Sequence, residues 1–134
     1  MMVQSEGEKT EKITINMGLI DLGQIDLLVQ EGFYTNRTDF IRSAIRAQLA
    51  ARGEAVAQTT ARRALTLGSC HYSRRDLEEI RDARQMIHIQ VLGLASIAAD
   101  VSPQLALATI ASVEVLGSFR APAAVKAALA ARIT

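Results

Sequence analysis

The chain has few aromatic residues, one cysteine and no long apolar run. Aromatic residues make up only 4% of the 134 residues although apolar residues make up 49%, and this Ala, Leu, Ile and Val content favours helices and tightly packed repeats. The single Cys70 provides no disulfide framework and fits a reducing cytoplasm, so we expect it to be an inert packing residue. No apolar run approaches the ~18 residues of a membrane span, and the polar start MMVQSEGEKTEK lacks the apolar core of a signal peptide. The sequence therefore predicts a cytoplasmic protein without a membrane partner.

Motifs for catalysis, cofactors and metals are missing as well. The glycines are scattered and lack the lysine of a phosphate-binding loop, and there is no nucleophile elbow. Cys70 and His71 have no further ligand at zinc spacing. The acidic residues of one predicted helix alternate with arginines, which indicates an ion-paired surface and not an acid–base pair. We expect neither an enzyme nor a cofactor or metal site.

The charge balance does not by itself indicate nucleic-acid binding. The net charge is +1, and the part up to Arg63 holds eight basic and eight acidic residues. Affinity for DNA would have to come from the placement of a few groups. Dimerisation would help, because each basic group would then occur twice.

The stretch from Lys12 to Leu49 determines the interpretation of the chain. Residues 12–17 alternate strictly between polar and apolar, which predicts a strand. Because nothing nearby offers a second strand, the simplest partner is the same strand of a second copy. This predicts an obligate homodimer with a two-stranded antiparallel ribbon. A helix with Asp21 as its N-cap follows and ends before Gly32.

A second helix is predicted after a turn in which Phe33 plugs the core and Tyr34 covers it. Asn36 is its expected N-cap, and the free amides of Arg37 and Thr38 would form a small anion site. A plain, well-capped helix is the alternative interpretation. The helix is expected to run to about residue 52 and to stop at Gly53.

Strand, helix, turn and helix in this order resemble the ribbon-helix-helix (MetJ/Arc-type) DNA-binding family. The resemblance implies that one ribbon face enters the DNA major groove and the other packs on the helices. The implied base contacts are Lys12, Thr14 and Asn16. The implied phosphate contacts are Asn36, Arg37 and Thr38. The dimer core would comprise Ile13, Ile15, Met17, Ile25, Phe40, Ile41 and Ile45.

The second half contains a repeat with a period near 24 residues. Three apolar runs end in Leu-Gly, at Gly68, Gly93 and Gly117, and each is followed by a helix-forming segment. We expect strand, turn and helix three times, with these glycines as the repeat turns and with parallel strands whose open edges promote assembly. The architecture resembles a short leucine-rich-repeat-like βα solenoid, although the Asn or Cys signature is missing. The alternatives are three unrelated βα pieces and a helical domain.

The predicted fold class is α+β: an intertwined ribbon-helix-helix dimer followed by a small βα-repeat domain with parallel strands. The expected organisation is a flexible arm (1–11), the DNA-binding and dimerisation domain (12–52), a linker (53–63) and an oligomerisation domain (64–134). The predicted function is a sequence-specific transcriptional regulator, and more narrowly a repressor, bound to double-stranded DNA in the bacterial nucleoid. One alternative is an antitoxin whose C-terminal half binds a toxin. The other is a structural self-assembling protein with incidental DNA binding.

Overall fold

The computed structural model describes residues 2–4 and 10–134, which fall into two compact units. One unit is Thr10–Thr59, and the other is Thr60–Thr134 together with the described strand near the N-terminus. The combination of helices and a sheet agrees with the predicted α+β class. No helix of the described residues has both the length and the apolar character that crossing a membrane requires.

The N-terminal unit begins without regular secondary structure. Residues 10–18 form neither helix nor strand, and this unit contains no strand with which they could pair. The strand expected over residues 12–17 is therefore not formed within one chain, and the ribbon stays a prediction. Helix α1 (Leu19–Gln30) follows, with Gly18 as its N-cap. The prediction of Asp21 as N-cap is wrong, because this residue lies in the first helical turn, where its negative charge suits the helix dipole.

Helix α2 (Arg37–Ala51) begins at the predicted cap. The Oδ1 of Asn36 accepts a hydrogen bond from the Asp39 amide at 2.8 Å, and Oδ2 of Asp39 accepts one from the Thr35 amide at 2.9 Å. These bonds satisfy amides that a helix start would otherwise leave without partners.

Helix α3 (Gly53–Arg62) follows α2 after a single residue. The expectation that Gly53 stops the helical region is wrong, since this glycine begins a new helix. The segment predicted as a linker is helical along most of its length because alanine, glutamate and glutamine tolerate a helix well. Its side chains are almost all exposed, which explains why no apolar periodicity predicted it.

The C-terminal unit is a four-stranded sheet with helices between its parallel strands. The strands, in spatial order, are β1 (Met2–Gln4), β2 (Thr66–Tyr72), β3 (Ile87–Ile97) and β4 (Ile110–Arg120). Strands β2, β3 and β4 are parallel, and β1 runs antiparallel to β2. The helices that follow the parallel strands are α4 (Arg74–Asp82), α5 (Pro103–Thr109) and α6 (Ala123–Leu129), and a 3-10 turn, Ala130–Arg132, follows α6.

A helix follows each of the three parallel strands in this half, and the repeat architecture stays a prediction. The interpretation of this half as a helical domain is wrong, since its centre is a sheet. The likeness to leucine-rich-repeat arrays stays a prediction. Within the expected flexible arm, Met2–Gln4 pairs with β2, whereas residues 1 and 5–9 lie outside the described residues.

The three glycines of the repeat lie side by side inside the strands. Gly68 is in register with Gly93, and Gly93 with Gly117, so the prediction that they form turns is wrong. Their φ angles are +127°, +138° and +120°, a region that residues with a Cβ rarely adopt. A Cβ on Gly93 would overlap the carbonyl oxygen of Gly68, and one on Gly117 would overlap that of Gly93. The glycines are needed because the backbones meet there, not because the chain turns.

The core of this unit lies between the sheet and its helices. Fourteen buried residues form it: Cys70, Tyr72, Leu77, Ile89, Val91, Ala95, Ile97, Val101, Leu105, Ala106, Ile110, Val113, Val125 and Leu129. Burial raises the pKa of Tyr72 to about 12. Burial also raises the pKa of the Cys70 thiol, which keeps it protonated at neutral pH, as expected of an inert packing residue.

The reciprocal cap of α4 makes the stability of this unit depend on pH. The Ser73 amide donates to the Asp76 carboxylate and the Asp76 amide donates to Ser73 Oγ, both at 3.1 Å. The bond from the Ser73 amide lowers the pKa of Asp76, so its stabilisation is present above the ordinary aspartate pKa and is lost as pH falls through the lowered value. We expect Asp76→Asn to reduce the free energy of unfolding by about 1 kcal/mol at neutral pH.

Urea unfolding of parent and variant at several pH values measures this difference, which should shrink towards zero in acid. Asp82→Asn is the control, because a negative charge at the last residue of α4 gains nothing from the helix dipole. A difference between parent and Asp76→Asn that stays constant down to low pH would contradict the assignment.

Candidate nucleic-acid interface

Residues 12–17 expose alternating apolar and polar side chains. Ile13 is 75% exposed and Ile15 is 64% exposed, while Met17 is half-buried. The polar side chains between them, Lys12, Thr14 and Asn16, are exposed. Successive side chains of an extended segment point to opposite sides, so one side would be apolar and the other polar. Burying an isoleucine stabilises a protein by about 1.5–3 kcal/mol. A single chain does not gain this stabilisation at Ile13 or Ile15, because both are largely exposed.

Seven other large apolar side chains of the N-terminal unit are also exposed. Within Thr10–Thr59, all of which the structure describes, Ile25 is the one fully buried apolar side chain. The exposed ones beyond Ile13 and Ile15 are Leu19, Ile20, Leu27, Phe33, Ile45, Leu49 and Val56. A unit of about 50 residues needs most of its apolar surface buried to be stable. A unit that acts alone seldom exposes so much apolar surface.

Three of the seven predicted dimer-core residues, Met17, Ile25 and Phe40, line an open cavity of about 330 Å³. Ile25 is buried, Phe40 and Ile41 are half-buried, and Ile45 is 49% exposed. The cavity is lined by Met17, Asp21, Gln24, Ile25, Leu28 and Phe40. Its volume has room for aliphatic side chains from a second copy.

The start of α2 brings together the three residues predicted to contact phosphate. The Oδ1 of Asn36 is committed to capping through its bond to the Asp39 amide, and the Nδ2 group can still donate, so Asn36 stays a predicted phosphate contact. The amides of Arg37 and Thr38 occupy the first two helical positions, where no helical acceptor precedes them. Exposed amides at a helix start, with the positive end of the helix dipole, suit an anion.

The Arg37 side chain has a partner that sequence reasoning missed. Its Nε and Nη2 donate to the two carboxylate oxygens of Asp26 on α1, at 2.7 and 2.8 Å. This two-pronged hydrogen bond lowers the pKa of Asp26 and raises that of Arg37. The guanidinium thus links α1 to α2, and this bond leaves the backbone amide of Arg37 available for an anion. Opposite charges eleven residues apart give no signal in a sequence.

The turn between the helices differs from its prediction in one aromatic residue. The expectation that Phe33 plugs the core is wrong, since it is 70% exposed; it follows Gly32, whose φ is +85°. Tyr34 is half-buried, as expected of a cover. Its ring meets that of Phe40 edge-on, with centroids 4.9 Å apart and an angle of 84°.

The two histidines lie on the sheet of the C-terminal unit. His71 is inside β2 and not in the predicted turn, and its Nδ1 lies 2.8 Å from Ser96 Oγ. His88 is exposed on β3, as predicted, with Nδ1 2.7 Å from Ser112 Oγ. No group of three His, Cys, Asp or Glu side chains in the described part of the chain is arranged to hold a metal ion.

Comparison with family models gives one match that spans both units. Residues 8–126 match the model of the ribbon-helix-helix transcriptional regulator family. The match extends far beyond the first third of the chain, so the βα unit belongs to what the family model describes. No curated protein matches, and no solved structure matches. The family is one of regulators and not of enzymes. With all but the two ends of its 134 residues matched, the chain belongs to the ribbon-helix-helix transcriptional regulator family.

Proposed function

We propose that two copies of the chain pair through residues 12–17 into an antiparallel ribbon that binds double-stranded DNA. The observation that carries the proposal is the exposure of Ile13 and Ile15 beside the exposed Lys12, Thr14 and Asn16. Pairing would satisfy the backbone of this segment and would bury the isoleucines against both sets of helices. Regulators of this family bind DNA and usually dimerise, which supports the proposal.

In the dimer the polar ribbon face carries two copies each of Lys12, Thr14 and Asn16. A two-stranded ribbon fits the major groove, where each base pair presents a distinct pattern of donors and acceptors. Asn16 would donate to and accept from an adenine edge, and Thr14 would bond a base edge or contact a thymine methyl. Lys12 would bind a guanine edge or a phosphate.

The starts of the two α2 helices would fix the register of the ribbon on the DNA. The amides of Arg37 and Thr38 would each donate to a phosphate oxygen at the groove rim. Such contacts position a protein without distinguishing sequences. Because the net charge is only +1, non-specific attraction is weak and the ribbon residues carry most of the discrimination.

We infer a repressor that excludes other proteins from its operator. The C-terminal unit would join dimers, so that neighbouring half-sites are bound cooperatively through the raised local concentration. The antitoxin alternative has no comparable support. It needs a C-terminal half that wraps around a toxin, whereas this half has its own core of fourteen buried residues. The self-assembly alternative leaves the polar ribbon face without a function.

Substitution of Asn16 and Thr14 tests the proposed base contacts. We expect Asn16→Ala to weaken binding to a DNA site selected from a random pool by about 10- to 100-fold, since a bidentate base contact is worth about 1–3 kcal/mol. Thr14→Ala should have a smaller effect in the same direction. Fluorescence anisotropy at one fixed salt concentration measures both.

Binding to random-sequence DNA is the internal control, because it depends on phosphate contacts that neither residue makes. Gln30→Ala is the control variant, since this exposed residue at the end of α1 is outside the ribbon and does not line the cavity. If both ribbon variants bind the selected and the random DNA as well as the parent does, the ribbon does not recognise the sequence.

A further inference from the structure

Helices cover one face of the sheet in the C-terminal unit. The other face carries no residue of the buried core. Residues 70, 72, 89, 91, 95, 97 and 113 of the parallel strands belong to the core. By alternation, the residues between them project to the opposite side, which we call the outer face. It comprises Leu67, Ser69, His71, His88, Gln90, Leu92, Leu94, Ser96, Ser112, Glu114, Leu116, Ser118 and Arg120.

The centre of the outer face is apolar. Leu67, Leu92 and Leu116 form a row across the three parallel strands, next to the row of glycines, and Leu94 lies on the other side of the glycine row. Leu67 is 70% exposed and Leu116 is 43% exposed. Polar side chains surround these leucines, and an apolar centre with a polar rim is the anatomy of a protein–protein interface.

We propose that the outer face packs against the outer face of a second copy of this chain, about a two-fold axis along the row Gly68, Gly93 and Gly117. This axis reverses the strands, so position 93 faces position 93 of the other copy and Leu92 faces Leu94. It also sets Glu114 of one copy opposite Arg120 of the other, on either side of the leucines. The opposite charges at the two ends of β4 therefore favour this orientation. Glu114 Oε1 accepts a hydrogen bond from Arg63 of the same chain. A carboxylate can accept further hydrogen bonds, so Glu114 can also pair with Arg120 of the other copy.

The size of the face determines how strong the pairing should be. Three strands of this length present about 500 Å², less than the ~800 Å² per partner of a standard stable interface. Separate copies should therefore pair weakly. A ribbon dimer carries two outer faces, however, so once one pair has formed between two dimers the second forms at a raised local concentration. In this respect the inference rests on the proposed function.

The test uses the full chain with the ribbon disabled by Ile15→Glu. We expect this variant to show a reversible equilibrium between one chain of 14.5 kDa and a pair of twice that mass. Sedimentation equilibrium up to about 0.5 mM covers the weak range that an interface of this size implies. Adding Leu116→Glu should abolish the pair, because the new charge would be buried against leucines. A ribbon-disabled chain that stays at the mass of one chain at every concentration would overturn the inference, as would a pair that survives Leu116→Glu.

Two further variants separate the possible causes of failure. Leu107→Glu, in the same ribbon-disabled chain, is the matched control, since Leu107 is an exposed leucine of α5 away from the outer face, and it should leave the pair intact. Leu116→Glu alone should remain a dimer through the ribbon. If it falls to a single chain, the proposed ribbon fails and the outer face is the dimer contact. Circular dichroism should show unchanged folding, because Leu116 is already exposed.

Cross-linking tests the orientation. Under the proposed axis Gln90 faces Ser96 of the other copy, at about the 10 Å that separates packed sheets, whereas identical positions are about 20 Å apart. In the ribbon-disabled chain, a 10 Å bis-maleimide should join Gln90→Cys to Ser96→Cys when the two variants are mixed. Cys70 is 1% exposed and should react little. Equal cross-linking within each variant alone would show that the orientation is wrong.

Discussion

Gly93→Ala should destabilise the C-terminal unit by about 3 kcal/mol or more, enough to unfold it under mild conditions. Two independent effects act at this position. The φ of +138° is one that an alanine adopts only with strain. The new Cβ would also overlap the carbonyl oxygen of Gly68, which is backbone and can move only if the pairing of β2 with β3 is disturbed. Because β3 is the central parallel strand, the distortion would spread to both neighbours.

Urea unfolding followed by the fluorescence of Tyr72, which is buried in this unit, measures the effect. Gly53→Ala is the matched control, because nothing lies within 4 Å of the Cβ it would add and its φ is not strained. It should be neutral or slightly stabilising, as alanine favours a helix. An equal response of the two variants would contradict the role assigned to the glycine row.

The Leu-Gly runs led to the expectation of strands, and each Leu-Gly pair lies in a parallel strand, whereas the repeat architecture stays a prediction. The second and third runs supply Ile89, Val91 and Val113 to the core, and the spacing of 25 and 24 residues leaves room for one helix between parallel strands. The glycines mark the strand register, since each lies beside the next. Their conformation was predicted wrongly because a sequence does not show φ: glycine is common both in turns and where backbones approach closely.

Other features depend on contacts between residues far apart in the chain. The pairing of Arg37 with Asp26 needs the geometry of two helices, and the pairing of Met2–Gln4 with β2 joins segments more than sixty residues apart. Helix α3 has Val56 as its single large apolar residue, which leaves an apolar pattern little to detect. At the candidate interface, by contrast, the local signals were sufficient for the Asn36 cap.

The two units differ in what they can bury alone. The C-terminal unit encloses fourteen residues in its own core, while the N-terminal unit fully buries the single apolar side chain of Ile25. The first should therefore fold without help, and the second should fold only as it pairs. Folding of the N-terminal unit would then be inseparable from dimer formation, so its apparent stability should rise with protein concentration.

Ile15→Glu should abolish the ribbon dimer and with it specific DNA binding. Each copy loses the burial of one isoleucine, worth about 1.5–3 kcal/mol, and a symmetric dimer loses it twice. The glutamate would in addition have to be buried between the helices without a cation. A conservative estimate of the combined cost is about 4 kcal/mol, which corresponds to about a thousandfold loss in pairing. Sedimentation at low micromolar concentration and anisotropy with the selected DNA site measure the two losses.

Thr14→Glu is the matched control, because it adds the same charge one residue earlier, on the polar side of the strand. It should leave the dimer intact, since Thr14 faces away from the helices in the proposed ribbon. It should still eliminate DNA binding, because two new carboxylates would face the phosphates and base edges of the groove. The two variants thus test whether successive residues point to opposite sides of the ribbon. The dimer should be lost only with Ile15→Glu, whereas DNA binding should be lost with both. Dimers that survive Ile15→Glu, or that are lost equally with Thr14→Glu, would show that residues 12–17 do not form a two-sided ribbon.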